Sequence, residues 1–479
     1  MTDVLTSVSP ADASDEVGRF TISDAAAVDT AVGRARRAFP AWRDAGLAAR
    51  AAVLKRFAAL ASERAEELAR LIAREVGKAL WDARSEAALL AAKVDATLGP
   101  GLELVREIEA GPGARASFHP RGVLAVLGPF NFPAHLPNGH IVPALATGNC
   151  VVFKPSDLAP AVGAWLWRAL QDAGLPPGVF ELVQGRAETG RALALHPDVD
   201  GILFTGSWAV GRSLSEATLD QPGKLLALEL GGKNGMLVWR DADLPLALAE
   251  AALSIAATTG QRCSSLSRIF VARRVADEFT ERLAKLLDGL ALGPPLEPGT
   301  FMGPLVSHAA HERVTRWRAE AGGERLLVGE TKLPPPYLAP GLVRFASLDQ
   351  SRPYQREEIF GPEAALYAVD DLDEAIAAVN DSEYGLAASV MSRDRAVYEH
   401  CVGRIRTGIL NWNRGTIGAS SRLPFGGGRK SGNDRPAALT STLYCTTPQA
   451  HVEYAGALDP KTLPPGFPEL TWGLTWGRS

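Results

Sequence analysis

"GILFTGSWAVGRS", residues 201–213, decides how this chain folds. An apolar run without polar alternation ends at Gly206-Ser207, and a helix-like segment follows. The expected reading is a strand buried on both faces, a glycine turn and a helix start. Four more runs share this texture: "GVLAVLGP" (122–129), "NCVVFKPS" (149–156), "VFELVQGR" (179–186) and "LLALELGG" (225–232). Each stops at Gly or Pro, and segments such as "AVGAWLWRALQDAG" (161–174) separate them. Strands alternating with helices predict βαβ units in a doubly wound parallel sheet. Ligands of such sheets bind beyond the carboxyl ends of the strands, where these glycines and prolines fall.

A second α/β set follows. "LPLALAEAALSIAATTG" (244–260) reads as helix, "SRIFVARR" (267–274) as strand and "VADEFTERLAKLLDGL" (275–290) as helix, with further strands in 357–369, 388–392 and 408–413. Residues 24–100 read as helices. "EIEAGPGARASFHPRG" (107–122) reads as an exposed turn or hairpin.

The 479 residues are 46% hydrophobic and 22% charged, with a net charge of −4. That balance leaves no electrostatic footprint for nucleic acid or an anionic membrane. The four cysteines, Cys150, Cys263, Cys401 and Cys445, form no CxxC pair for zinc or redox work and no disulfide scaffold. Neither a signal peptide nor a run long enough for a membrane span is apparent. A soluble protein of a reducing compartment, the cytoplasm, is the expectation.

Several side chains fall where chemistry is expected. "GSWAVGRS" (206–213) nearly fits a P-loop, but Arg212 stands where the lysine should be. The same strand–glycine–helix geometry suits a phosphate at a helix N-terminus, or is an ordinary β-to-α turn. No G-x-G-x-x-G follows a strand. Lys154 ends a strand at the ligand edge and can donate to ribose or phosphate, with Asp157 three residues on as an acceptor. Both also suit a solvated loop. Asn131, in the turn "GPFNFP" (128–133), can donate to an oxyanion or serve the turn alone. Glu229 ends an apolar run, where a carboxylate is rare unless paired or functional. His308 and His311 lack the H-E-x-x-H pattern of a zinc protease and read as a solvated helix face; no metal site is expected. Cys263, in "GQRCSS" (260–265), lies between helix and strand with polar flanks, which suit an accessible thiolate better than a core filler.

In chain order, "GPFNFP", "FKPSDLAP", "FTGSWAVG", "LELGGKN", "GQRCSS", "EEIFGP" and "LPFGGGRKSG" resemble the NAD(P)-dependent aldehyde dehydrogenase superfamily. The resemblance implies Cys263 as nucleophile and Glu229 as the base for the hydrolytic water. Asn131 and the Cys263 backbone N–H would hold the oxyanion. Lys154 and Glu358 would hold cofactor ribose hydroxyls, Phe360 would pack near the nicotinamide, and Gly206, Ser207 and Gly211 would border the pyrophosphate. Phe204 and Asp157 complete the implied cofactor set. NAD is the implied cofactor, with NADP as the alternative because Asp157 stands where the family often has glutamate. The presence of Glu229 implies an acid product rather than acyl transfer to coenzyme A.

"GPFNFPAHLPNGHIVPALATGN" and "NWNRGTIGASSRLPFGGGRKSGNDRP" narrow the resemblance to the N-succinylglutamate 5-semialdehyde dehydrogenase family of arginine catabolism. Another semialdehyde or an aromatic aldehyde is the alternative substrate, and a silent binding protein on the same fold a remote one. The implied aldehyde is anionic, and His135, Arg262, Arg414, Ser420, Ser421 and Arg422 are candidates to contact it. The implied architecture is two doubly wound α/β domains plus a bridging β-hairpin. Residues 1–230 would bind NAD, interrupted near 101–120, and 231–435 would be catalytic. Residues 101–120 with 436–455 would bridge to a second copy, giving a homodimer or dimer of dimers. Residues 456–479 would form an irregular tail. The first N-terminal strands common among relatives are expected to be missing.

Overall fold

The computed structural model describes residues 3–433 and 437–468. In it the five quoted runs pair as one all-parallel sheet. Their spatial order is Phe180–Leu182, Cys150–Lys154, Val123–Leu127, Gly201–Thr205, Leu225–Glu229. Numbered along the chain this is 3-2-1-4-5, so the order reverses between Val123–Leu127 and Gly201–Thr205. A crevice opens beyond the carboxyl ends at such a reversal. The three central strands are buried along their whole length, which is why they lack polar alternation.

The second sheet has seven strands in the order Glu324–Val328, Gly341–Phe345, Glu363–Val369, Leu266–Ala272, Asn234–Val238, Ala387–Met391, Ile409–Trp412. All neighbours are parallel except the first pair. The half-exposed edge strand Glu324–Val328 is not marked in the sequence, because an edge buries too little to leave a continuous apolar run. Ile108–Gly111, Ala114–Pro120 and Thr446–Val452 form a separate three-stranded antiparallel sheet. Of the tail, 456–468 carry one short turn, Pro460–Thr462; residues 469–479, like 434–436 near the bridging segment, lie outside the described residues.

At the amino end Val4–Val8 and Glu16–Thr21 form an antiparallel pair that the sequence pattern does not mark. The pattern hides them because an inward position is Ser7, a residue that reads as loop. Its hydroxyl donates to the buried Glu75 carboxylate at 2.7 Å.

Residues 24–100 contain four α-helices, Ala25–Asp44, Gly46–Glu63, Ala65–Val76 and Leu80–Ala96. The last carries Asp82, Glu86 and Lys93 at helical spacing on one buried face. Three buried charges on one helix face are costly unless something answers them.

Candidate active site

The helix Leu244–Ala256 starts at Asp243, whose carboxylate accepts from Leu246 N–H at 3.2 Å. It ends in a bend where Thr258, Thr259 and Gly260 have φ of 54°, 53° and 70°. β-branched residues are rare in that region, and each instance costs on the order of 1–3 kcal/mol. Both threonines are held by their hydroxyls: Thr258 donates to Asp82 Oδ2 at 2.6 Å, and Thr259 to the Gly303 carbonyl at 2.9 Å. Arg262 donates to Thr258 Oγ1 and to Asp82 Oδ1, both at 2.8 Å. The bend delivers Cys263 to the amino end of Leu266–Ala272, facing the carboxyl ends of the first sheet.

Asn234 fixes the Cys263 loop from the other side. Its amide donates to the carbonyls of Cys263 and Ser265, each at 2.8 Å, and its oxygen accepts from Ala387 N–H at 3.0 Å. The glycine pair before it is a matter of room. A Cβ on Gly232 would lie 2.4 Å from the Cys263 carbonyl oxygen, and one on Gly231 2.2 Å from Glu358 Oε2.

Two hollows meet at Cys263. A cleft of about 930 Å³ is lined by Asn131, Lys154, Asp157, Phe204, Gly206, Ser207, Cys263, Glu358 and Phe360. A smaller cavity on the far side is lined by Cys263 with His135, Arg262, Ser420 and Ser421. Gly211 lies outside both linings; it lets its helix approach Leu230, whose Cδ2 would be 2.8 Å from an added Cβ. Arg414 and Arg422 also lie outside both, as exposed residues. The Arg414 carbonyl accepts from the Ser389 hydroxyl, and Arg422 N–H donates to Ser420 Oγ at 3.2 Å. Thr205 lines both hollows and Arg313 lines the cleft, although neither type at its place stands out in the sequence.

The large cleft fits a dinucleotide. The helix Trp208–Ala217 starts at its wall, and Ser207 Oγ accepts only from Val210 N–H, at 3.4 Å. The other first-turn N–H groups have no partner within the helix and suit a phosphate. Lys154 Nζ stands at the strand end, donating to the Pro155 carbonyl at 2.8 Å. Glu358 accepts from Gly232 N–H at 2.8 Å. Phe360, at φ 56°, meets Phe130 edge-on, with ring centroids 5.8 Å apart.

Burial dominates the electrostatics. Glu229 is wholly buried, both carboxyl oxygens lack a hydrogen-bond partner, and burial holds its pKa well above the usual carboxylate range. Burial also pushes the Cys263 thiol up, reinforced by the Glu229 and Glu358 carboxyls, while the Ser264 N–H and Arg262 pull the other way. These surroundings favour the Cys263 thiol over the thiolate that its polar flanks suggest. Those flanks are not loose either, since Gln261 and Ser265 are buried. Asn131 donates through Nδ2 to the Gln261 carbonyl at 2.8 Å, which leaves its second N–H free to face the cleft.

Residues 2–450 match the aldehyde dehydrogenase family. The chain belongs to that family. It is 44% identical over 449 residues to an N-succinylglutamate 5-semialdehyde dehydrogenase of Paraburkholderia xenovorans (strain LB400), covering 92% of each chain. Among solved structures, an NAD-dependent aldehyde dehydrogenase from Sinorhizobium meliloti superposes with a TM-score of 0.90 at 32% identity, covering 96% of this chain and 93% of that one. The 1-pyrroline-5-carboxylate dehydrogenase from Thermus with bound NAD superposes at 0.89 and 30% identity, covering 94% and 90%. This aldehyde dehydrogenase is thus an NAD(P)-dependent oxidoreductase with a small aldehyde as substrate. Among the described residues no helix is long and apolar enough to cross a membrane.

Proposed function

We propose that this aldehyde dehydrogenase oxidises N-succinyl-L-glutamate 5-semialdehyde, or a closely similar anionic semialdehyde, to the carboxylic acid with NAD. The observation that carries the reading is the position of Cys263, the one cysteine on the walls of both the dinucleotide-sized cleft and the smaller cavity. A sulfur there meets an aldehyde entering from one side and a cofactor entering from the other.

Cys263 gives up its thiol proton to water in the cleft, Sγ of the resulting thiolate adds to the aldehyde carbon as the C=O π bond breaks, and the free N–H of Asn131 Nδ2 holds the oxyanion. Nicotinamide, when bound, supplies the hydride acceptor. Glu229 takes a proton from the water that hydrolyses the thioester. Its unpartnered oxygens and dry surroundings make it a strong base once ionised. Lys154, Asp157 and Glu358 hold the cofactor's hydroxyls. The Asp157 carboxylate on the cleft wall favours NAD by repelling a 2′-phosphate.

The relatives' named substrate supports the anionic aldehyde. A panel of purified enzyme with NAD or NADP, reading NAD(P)H, tests it. N-succinylglutamate semialdehyde should exceed propanal and benzaldehyde in kcat/KM; if propanal ranks equal, the specific assignment falls.

The two large sheets support a cofactor domain over 1–230 and a catalytic domain over 231–435. The exposed three-stranded arm supports a bridging role for 101–120 and 436–455 in a dimer or dimer of dimers, which sedimentation would read. All four cysteines are free thiols, as suits the cytoplasm.

A further inference from the structure

The smaller cavity holds a cation that no carboxylate among the described residues answers. Arg262 and Lys93 are the basic residues on its wall, and no Asp or Glu lines it among the described residues. Arg262 is committed: Asp82 and Thr258 hold its guanidinium, and in that role it shapes the nucleophile loop. Among the described residues Lys93 has no such charged partner. It is 2% exposed, and Nζ donates to the Ala438 carbonyl at 2.7 Å and Ser441 Oγ at 3.3 Å. Both acceptors are neutral, and an ammonium has three donors. A desolvated charge with one donor open and, among the described residues, no counter-ion is unfavourable by itself.

A second observation points the same way. His135, on the same wall, is half-buried, and its Nδ1, itself out of contact with solvent, has no hydrogen-bond partner. Burial, then Lys93 and Lys78, lowers its pKa to about 4, so it stands neutral. Burial lowers Lys93 to about 8, which leaves it charged at neutral pH.

We infer that Lys93, with the open ring nitrogen of His135, forms the receptor for a carboxylate of the substrate. Lys93 is then the specificity-determining residue of the cavity, in place of Arg414 and Arg422, which lie outside it. This inference rests on the anionic-aldehyde reading above. A carboxylate against Nζ completes the third donor and neutralises the charge, while the aldehyde end of the same molecule reaches Cys263. A purely structural Lys93, tying its helix to Ala438 and Ser441, would affect charged and neutral aldehydes alike.

Lys93→Gln keeps a donor for that tie and removes the charge; Lys93→Met removes both, and Lys93→Arg restores the charge. The measurement is kcat/KM with saturating NAD for N-succinylglutamate semialdehyde and for pentanal, together with the inhibition constant of N-succinylglutamate. In both Gln and Met variants the ratio of charged to neutral substrate should fall at least tenfold, through KM. The inhibition constant should rise in parallel, and Arg should recover part of each. If Met does not fold, Gln and Arg decide. A wild type that prefers the charged aldehyde, with a Gln variant that keeps the preference, overturns the inference alone. A wild type indifferent to charge overturns the substrate reading and the inference with it.

Discussion

Asp82 accepts from Arg262 Nη2 through one oxygen and from Thr258 Oγ1 through the other, at 2.8 and 2.6 Å. One carboxylate on an N-terminal helix thus holds both the residue before Cys263 and the bend that delivers it. Asp82→Ala leaves Arg262 buried without a counter-charge, which costs about 3–5 kcal/mol. Thermal unfolding should show the loss, and NADH formation should slow at least tenfold as the Cys263 loop relaxes. Burial raises the Asp82 pKa, but Lys78 and Arg262 with the Thr258 hydroxyl outweigh it and hold it below the usual value. A depressed carboxylate stabilises above its unfolded pKa, so the difference between wild type and variant should be flat from pH 6 to 8. It should shrink as pH falls below about 4.

Glu229 works in the opposite direction. Burial raises its pKa, so the folded state favours the protonated form and is penalised as pH rises above the unfolded value of about 4.3. Glu229→Gln should therefore melt higher than wild type at pH 8 and alike near pH 4. Its activity should split: a stoichiometric NADH burst survives, while steady turnover drops about 100-fold or more with loss of a general base. A variant with no burst and no acyl-enzyme mass shift would contradict the deacylation role.

Much of this was legible from the chain. The buried parallel strands are continuous apolar runs because both faces are covered, and their terminal glycines mark the cleft. Cys263, Asn131 and Glu229 stand out because each is polar at the end or turn of an apolar stretch. Asp82, Glu86 and Lys93 do not, because a charge at helical spacing looks the same whether it faces water or a buried loop. Glu86 shows the difficulty: it accepts from Ala134 and His135 N–H at 2.9 and 3.1 Å and pairs with Lys78, thereby anchoring the turn that carries Asn131. The two N–H groups it accepts from are 48 and 49 residues away, and only the fold supplies them. Arg414 and Arg422 mislead for the converse reason: proximity to a motif in sequence does not turn a side chain inward.

Asn131 should act on the barrier rather than on cofactor binding. Asn131→Ala removes the proposed oxyanion donor, worth about 3 kcal/mol, or roughly 100-fold in kcat. It also leaves the Gln261 carbonyl without the amide that now donates to it. Fluorescence titration with NADH should give an affinity close to wild type, while stopped-flow mixing with aldehyde shows the burst itself slowed. A slow steady state with a fast burst would place Asn131 outside the hydride step.

Gly260 tests whether the bend before Cys263 is tied to the loop carrying Phe360. It sits at φ 70°, and a Cβ there would lie 2.2 Å from the Gly361 carbonyl carbon. Backbone, unlike a flexible side-chain tip, cannot step aside, so Gly260→Ala must move either the nucleophile loop or the Phe360 turn. Activity should fall at least 100-fold with a clear drop in melting temperature. Thr259→Gly, one residue earlier, makes the useful contrast. It removes the cost of a β-branched residue at φ 53° and also the hydroxyl bond to Gly303. The two effects oppose each other, so stability should change by less than about 1 kcal/mol. Equal damage from both substitutions would mean that the threonine hydroxyl, not the contact with Gly361, holds the bend.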